Sequence, residues 1–201
     1  MHKVVELFLT QRCSPEDAVE AFGIKRDRRL LEWLAARHRG QWVAPEIKFA
    51  YDPFTDKGRM LESKKERDYS EATDTEFVGT LDMMFFDEGR QYGPYVHVSD
   101  LKTGNPAYLE PCGQSGQMTT LGLMASRVFE QKQILVSYLL TKGGIRRTAP
   151  ERLDATDMDL TRMSLAKAMT NRRTALPVLN KDCWKCPAKT ACPAYKDATY
   201  D

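Results

Sequence analysis

Two apolar runs separated by a polar turn constrain the fold more than any other part of this 201-residue sequence. The first run follows Gly79 and contains Asp82, and the second ends in Asp-Leu-Lys-Thr-Gly at positions 100–104. Both runs are rich in aromatic and aliphatic residues. The segment 87–94 between them carries the Asp, Gly and Pro residues that end strands. The pattern predicts a β-hairpin.

The predicted hairpin brings two acidic residues together. An antiparallel register that pairs Met84 with Val98 also sets Asp82 opposite Asp100, with Cβ atoms roughly 4.5–5.5 Å apart. Because side chains alternate along a strand, Asp82 is expected to share a face with three neighbours: Thr80, Met84 and Phe86. Two carboxylates at this spacing repel each other unless a cation lies between them. The register therefore predicts a site for a hard divalent cation such as Mg²⁺.

Lys102 lies two residues beyond Asp100 and shares its face of the strand. An ammonium there can orient a metal-bound water or stabilise an anionic transition state. A structural ion pair on a half-exposed hairpin is the competing interpretation, since charges on strands are mostly solvated.

The complete pattern is more specific than this ion pair. Gly-x-x-Asp ends at Asp82, and Asp-x-Lys-Thr-Gly begins 18 residues later at Asp100. This resembles the PD-(D/E)XK nuclease superfamily, in particular its RecB-like branch. The resemblance implies one nuclease domain over residues 1–201 with a restriction-endonuclease-like α/β fold, in which helices flank a mixed central sheet.

The resemblance also implies the chemistry. It is metal-dependent hydrolysis of DNA phosphodiester bonds, by an exonuclease or a nuclease that prefers single strands or free ends. Lys102 is the implied catalytic cation. The implied ligands of Mg²⁺ or Mn²⁺ are Asp82, Asp100, His38 and the carbonyl of Leu101. In the competing interpretation, the chain is a non-catalytic or partner-activated DNA-binding subunit with a structural zinc site.

Two further candidate ligands precede the hairpin. His38 lies near the end of a helix predicted over residues 27–39, where a histidine can also simply complement the helix dipole. RecB-like nucleases often carry a metal-binding His at this point. Glu46 lies on a strand predicted over residues 42–50, ahead of a polar loop over 52–72. It is either a further site carboxylate or a surface residue.

A helix is expected from Gln114 to about Glu130. Gln114 and Gln117 are three residues apart and would share a face of it. RecB-like nucleases carry a Gln-x-x-x-Tyr helix here, which lies beside the metal and contacts DNA. Gln117 matches the Gln, whereas Leu121 stands where the Tyr is usual, which weakens the implied DNA contact. A solvated helix start is the competing interpretation of both glutamines.

Other elements follow from hydrophobic patterns. Residues 133–140 form a continuous apolar run, which indicates a buried strand. Residues 145–153 are expected to return as an edge strand. A helix is predicted over residues 157–171, with its methionines in the core and five side chains supplying apolar contacts: Met158, Leu160, Met163, Leu165 and Met169.

Three cysteines near the C-terminus form the second strong motif: Cys183, Cys186 and Cys192. A four-coordinate metal centre requires one more thiolate, which Cys13 or Cys112 can supply. From the residues alone, zinc is the simple interpretation. An odd total of five cysteines and no recognisable export signal argue against a disulfide framework.

The cysteine spacing also resembles that of iron–sulfur nucleases, among them the RecB-like nuclease of CRISPR adaptation and AddB-type nuclease domains. There the cluster joins the two ends of the chain. The resemblance implies a [4Fe–4S] cluster, with zinc as the alternative. The segment 183–192 would close onto Cys13 and pack against the N-terminal helices, with four implied ligands: Cys13, Cys183, Cys186 and Cys192. Cys112 remains the alternative fourth ligand.

Composition limits the class of protein. With 42% hydrophobic and 29% charged residues, the sequence is typical of a soluble globular domain with one core. No apolar run approaches membrane-spanning length, so a cytoplasmic location and no membrane partner are expected. The net charge of +2 neither requires nor excludes a nucleic acid. The expected partners are DNA and proteins of recombination or CRISPR adaptation.

Overall fold

Seven strands form one mixed sheet in the computed structural model, which describes residues 20, 28–37, 42–63, 68–87 and 94–172. The strands are β1 (Trp42–Asp52), β2 (Lys57–Met60), β3 (Phe77–Asp87), β4 (Tyr95–Lys102), β5 (Ile134–Leu140), β6 (Arg146–Arg147) and β7 (Glu151–Leu153). The described helices are α1 (Arg28–Arg37), α2 (Gly116–Val128) and α3 (Ala155–Arg172). The chain divides into two compact units, residues 1–166 and 167–201. Only the last turns of α3 are described in the second unit.

The sheet is mostly antiparallel. Its strand order is β2-β1-β3-β4-β5-β6, and β7 also pairs with β5. The β4–β5 pair is parallel, because α2 carries the chain across the sheet between these strands. The other described pairs are antiparallel. These elements confirm the predicted mixed sheet flanked by helices and are consistent with a restriction-endonuclease-like fold.

The two faces of the sheet are covered by different helices. Helix α2 packs its buried residues on one face, together with Val98 and Val136 of the central strands. On the other face, the guanidinium of Arg147 lies 5.6 Å from the ring centre of Trp33 in α1 and 4.8 Å from that of Phe85 in β3. The core strands are therefore buried on both sides, which accounts for their continuous apolar runs. No helix in the described ranges has the length and hydropathy needed to cross a lipid bilayer.

Glycines allow α2 to approach the sheet closely. A Cβ at Gly79 would lie 3.0 Å from a side-chain carbon of Leu121 in α2. A Cβ at Gly122 would overlap Leu153, and it would lie 3.2 Å from Ile134 and 3.4 Å from Val136. The first residue of the Gly-x-x-Asp motif thus has a packing role.

Gly122→Val is expected to lower the free energy of unfolding by about 1–3 kcal/mol, because the added carbons must displace Leu153 of β7 and the β-branched side chains of β5. Gly116→Val is the matched control, since nothing lies within 4 Å of a Cβ at that exposed position of the same helix. Urea denaturation of both variants measures the difference. Equal stability of the two variants would contradict this account of the packing.

The predicted hairpin register is confirmed. Met84 pairs with Val98 and Phe86 pairs with Val96. The backbone ladder between β3 and β4 ends at Met83 and Ser99. Continuing this register by one residue brings Asp82 opposite Asp100, at the point where the regular pairing stops.

Side-chain alternation in β3 breaks just before this point. Gly79 faces α2, since its Cβ position is next to Leu121. Met84 also faces α2, because it pairs with Val98 and belongs to the same buried cluster as Leu121. Five residues separate Gly79 from Met84, and an odd separation should put them on opposite faces.

The break coincides with an irregular position in β1. Glu46 has φ = 51°, in the left-handed region, and it lies opposite Asp82 in the register. The ladder pairs on either side are intact: Pro45 with Met83, and Ile47 with Leu81. The prediction that Asp82 shares one face with Thr80, Met84 and Phe86 is therefore wrong. Thr80 follows Gly79 and faces away from α2, whereas Met84 faces it.

Three other predictions need correction. The polar loop expected over residues 52–72 contains strand β2, which pairs with the end of β1. Leu160 and Met163 of α3 are exposed, so they are not core residues, whereas Met158 is buried as predicted. The helix predicted from Gln114 begins at Gly116, after a 3₁₀ turn over Cys112–Gln114. The predicted edge strand over residues 145–153 is present as two short strands, β6 and β7.

Candidate active site

Two charged side chains at the end of β4 form the centre of the candidate site. Lys102 Nζ lies 2.8 Å from Oδ2 of Asp100. The Asp100 side chain is only 8% exposed, while that of Lys102 is 27% exposed. The carboxylate is thus held inside the protein, and the ammonium reaches toward solvent from the same face of the strand.

Gln117 contacts both members of this pair, Asp100 and Lys102. Its Nε2 donates to Asp100 Oδ1 at 3.0 Å, and its Oε1 accepts from Lys102 Nζ at 3.1 Å. Gln117 lies in the first turn of α2, which packs directly beside β4. One planar amide therefore donates a hydrogen bond to the carboxylate from its nitrogen and accepts one from the ammonium at its oxygen.

Asp82 reaches the same place from β3. Its Oδ2 accepts a hydrogen bond from the backbone N–H of Leu101 at 2.7 Å. A side chain thus takes the place of the β3 backbone where the ladder to β4 has ended. The Asp82 carboxylate lies one peptide unit from Asp100, at the gap between the strands.

The aromatic ring of Tyr138 lies next to the ammonium of Lys102. Tyr138 is the β5 neighbour of Asp100, and its ring centre lies 5.6 Å from Lys102 Nζ. The phenol shares a hydrogen bond with Ser115, the N-cap residue of α2, and burial raises the pKa of Tyr138. The ring contributes a cation–π contact to the ammonium, and the hydroxyl links β5 to the start of α2.

Glu151 anchors the loop that precedes α2. Its two carboxylate oxygens accept from the backbone N–H groups of Cys112 at 2.8 Å and Gly113 at 2.9 Å. The Cys112 thiol is buried and lies 3.8 Å from the hydroxyl of Thr148. Burial raises the pKa of Cys112. The start of α2, and with it Gln117, is therefore held to the sheet by β5 and β7.

Comparison with known proteins identifies the family. The family model for the PD-(D/E)XK nuclease superfamily matches residues 1–193. The chain belongs to this superfamily. It is also similar to the solved structure titled "Crystal structure of SSO0001", with 15% identity over 96% of this chain and 82% of that chain, at a TM-score of 0.43. No curated protein matches the chain.

PD-(D/E)XK proteins are generally nucleases that use Mg²⁺ or Mn²⁺, and the residues present fit such an ion. Asp100 Oδ2 is buried, and it accepts no hydrogen bond of ordinary geometry from the described residues despite its ion pair with Lys102. A carboxylate oxygen has two lone pairs, so its contact with one ammonium leaves it able to bind a hard cation, and Mg²⁺ takes ligands of this type.

The described ranges hold no group of three His, Cys, Asp or Glu side chains arranged for a metal. Mg²⁺ usually keeps several waters and binds through one or two carboxylates, so a site for this ion does not require three such side chains.

The remaining predicted site residues lie at other positions in the described part of the chain or outside it. Glu46 is half-buried at the irregular position of β1, and it does not join Asp82 and Asp100 in a three-residue metal group within the described ranges. Gln114 is exposed in the 3₁₀ turn, so it does not share a helix face with Gln117. Leu121 is buried against Gly79. His38 and four cysteines lie outside the described residues: Cys13, Cys183, Cys186 and Cys192.

Sequence reasoning missed Tyr138 and Glu151. The position of Tyr138 beside Asp100 depends on the offset between parallel strands β4 and β5. A crossover helix fixes that offset, and no turn sequence reveals it. Glu151 acts through backbone N–H groups nearly 40 residues away in the chain, and such contacts leave no residue pattern.

Proposed function

We propose that this chain is a metal-dependent nuclease of the RecB-like branch that hydrolyses DNA phosphodiester bonds. It would act as an exonuclease or as a nuclease with a preference for single strands. The observation that carries the proposal is the closed set of contacts among Asp100, Lys102 and Gln117, with Asp82 one peptide unit away. A solvated surface ion pair would not need an amide that satisfies both partners.

Asp82 and Asp100 are the proposed ligands of Mg²⁺ or Mn²⁺, with His38 and the Leu101 carbonyl as further candidates. When bound, the ion lowers the pKa of a coordinated water and neutralises charge on the scissile phosphate. The Leu101 N–H fixes the Asp82 carboxylate at the strand gap, and Gln117 fixes that of Asp100. Both carboxylates are therefore oriented by neighbouring groups before any ion binds.

Lys102 is the proposed catalytic cation. Asp100 and Gln117 hold its ammonium on one side, and the ring of Tyr138 lies at cation–π distance. The Lys102 side chain is partly exposed, so a phosphate can approach it from solvent. An oriented ammonium in a partly desolvated site stabilises developing negative charge more strongly than a mobile surface lysine. Gln117, which is exposed at the start of α2, is proposed to position the strand.

A basic turn beside Lys102 supports nucleic acid as the substrate. The backbone N–H of Thr141 donates to the Lys102 carbonyl at 3.2 Å, which brings the turn after β5 next to the site. Lys142 and Arg146 on this turn and on β6 are exposed. Cations at this position can contact backbone phosphates of a strand bound at Lys102.

We further propose a [4Fe–4S] cluster bound by Cys13 and the three cysteines of segment 183–192, with zinc as the alternative. The segment would close the chain ends of a single domain spanning residues 1–201. The burial of Cys112 beside Thr148 supports Cys13 as the fourth ligand, because a thiol packed in the core is poorly placed to reach a cluster. The proposed setting is DNA recombination, repair or CRISPR-adaptation-like processing, with protein partners from these systems.

The direct test is a cleavage assay with end-labelled single-stranded and duplex DNA, run with Mg²⁺, with Mn²⁺ and with chelator. We expect strand cleavage that depends on the divalent ion and is stronger on single strands. Absence of cleavage by metal-loaded, cluster-containing protein on every DNA substrate would contradict the proposed activity.

A further inference from the structure

Tyr108 is the most exposed large hydrophobic side chain in the described part of the chain, at 85% exposure. It lies in the loop that joins β4 to α2. The aromatic ring therefore stands in solvent, and burial does not explain its presence. Tyr is enriched at binding interfaces, because its ring is apolar while its hydroxyl can stay hydrated.

The loop presents Tyr108 on a defined backbone. Pro106–Tyr108 form a 3₁₀ turn, and the side chain of Asn105 accepts from the N–H of Ala107 at 3.2 Å. The N–H of Leu109 donates to the Pro106 carbonyl at 3.1 Å, and Leu109 packs against the core cluster. The residues on both sides of the ring are thus fixed by a cap and by packing.

The position of this loop relates Tyr108 to the candidate site. Tyr108 follows Lys102 by six residues and precedes Gln117 by nine, and the side chains of Lys102 and Gln117 touch. Six residues of fully extended chain span at most about 20 Å, and the 3₁₀ turn shortens this reach. The backbone of Tyr108 therefore lies within about 20 Å of that of Lys102, which is the length of a few nucleotides of bound strand.

The surroundings of Tyr108 favour a nucleobase over a protein partner. The exposed residues nearest to it in the loop are small, polar or proline: Thr103, Gly104, Asn105, Ala107, Glu110 and Pro111. One isolated ring among such residues does not form the apolar patch that a protein interface requires. A single nucleobase, in contrast, needs one aromatic face.

We propose that Tyr108 is a stacking platform for a base of the bound strand beside the active site. This rests on the proposed nuclease function and specifies its substrate as single-stranded nucleic acid. The bases of an intact duplex are stacked on each other and offer no free face, whereas unpaired bases stack on aromatic side chains. Phosphate contacts near Lys102 would hold the backbone, and Tyr108 would hold an adjacent base.

The test is binding of a fluorescein-labelled oligothymidylate, measured by anisotropy with chelator present so that no cleavage occurs. Tyr108→Ala is expected to weaken binding about tenfold, within the range measured for loss of one stacked base. Tyr108→Phe keeps the ring and should bind nearly as the wild type does. Phe54→Ala is the matched control, because Phe54 is an exposed aromatic residue, 51% exposed, on the β1–β2 turn.

The following binding results would overturn the proposal. They are unchanged binding by Tyr108→Ala, an equal loss in the Phe54→Ala control, and no binding of single strands by the wild type. A loss in Tyr108→Phe as large as that in Tyr108→Ala would also overturn it, since the hydroxyl rather than the ring would then be responsible.

Cleavage with Mn²⁺, measured in parallel, separates this inference from the proposed function. Cleavage with no dependence of binding on Tyr108 would overturn the stacking proposal and leave the nuclease activity intact. Binding that depends on Tyr108, without cleavage, would support the stacking site and contradict the nuclease.

Discussion

Asp100→Asn is expected to reduce DNA cleavage by at least about a thousandfold while the fold remains intact. Asn has nearly the same shape, and its Oδ1 can still accept the hydrogen bond from Gln117. It loses the charge that is proposed to hold a divalent cation and that pairs with Lys102. The measurement is the initial rate of cleavage of labelled single-stranded DNA with saturating Mn²⁺, alongside circular dichroism and thermal melting.

Asp159→Asn is the matched control for this prediction. It makes the same chemical change at an exposed position of α3 and should leave both rate and stability unchanged. The assignment of Asp100 would be wrong if its Asn variant kept a rate within tenfold of the wild type in a folded protein. An inactive Asp100→Asn protein that is also unfolded would point to a structural role for the carboxylate.

Cys186→Ser is expected to have the largest effect on stability. The binding energy of a structural metal centre contributes directly to folding, and it is on the order of 10 kcal/mol in small zinc domains. If a cluster joins the chain ends, loss of one ligand should remove the visible colour and lower Tm by roughly 10 °C or more. The measurements are the visible spectrum and thermal melting of anaerobically purified protein.

Cys112→Ala is the control that separates the two candidates for the fourth ligand. Because the Cys112 thiol is buried against Thr148, its loss should leave the colour unchanged. A colourless wild-type protein with one zinc per chain would show that the metal centre is zinc and not an iron–sulfur cluster. A coloured Cys186→Ser protein with the melting temperature of the wild type would refute the joining of the chain ends.

The hairpin register could be predicted from sequence because local signals determine it. The two strands carry apolar residues, and a polar turn separates them. These features predict the register that pairs Met84 with Val98, and the structure has this pairing. The meeting of Asp100 with Lys102 follows from their spacing on one strand. Gln117 contacts both residues because helix α2 follows β4 and crosses back over the sheet. The first turn of α2 therefore lies beside the end of β4.

Predictions failed where the backbone departs from regular geometry. Alternation placed Asp82 with both Thr80 and Met84, but the left-handed Glu46 on the neighbouring strand marks a break in the side-chain pattern. A glutamate in this conformation is rare and has no sequence signal. The break lies where the β3–β4 ladder ends and where the Asp82 carboxylate accepts the hydrogen bond from the Leu101 N–H.

Amphipathic patterns also failed in α3. Leu160 and Met163 were expected to supply apolar contacts, yet both are exposed. Apolar residues occur around the whole helix, so composition alone could not identify the buried face.

Asp82 and Asp100 are together proposed to hold one divalent cation. Titration of the protein with Mn²⁺, followed by the electron paramagnetic resonance signal of free Mn²⁺, tests this proposal without reference to activity. We predict one bound Mn²⁺ per wild-type chain, its loss in both Asp82→Asn and Asp100→Asn, and its retention in Gln117→Ala. Binding of Mn²⁺ by both Asn variants with wild-type stoichiometry and affinity would contradict the proposal.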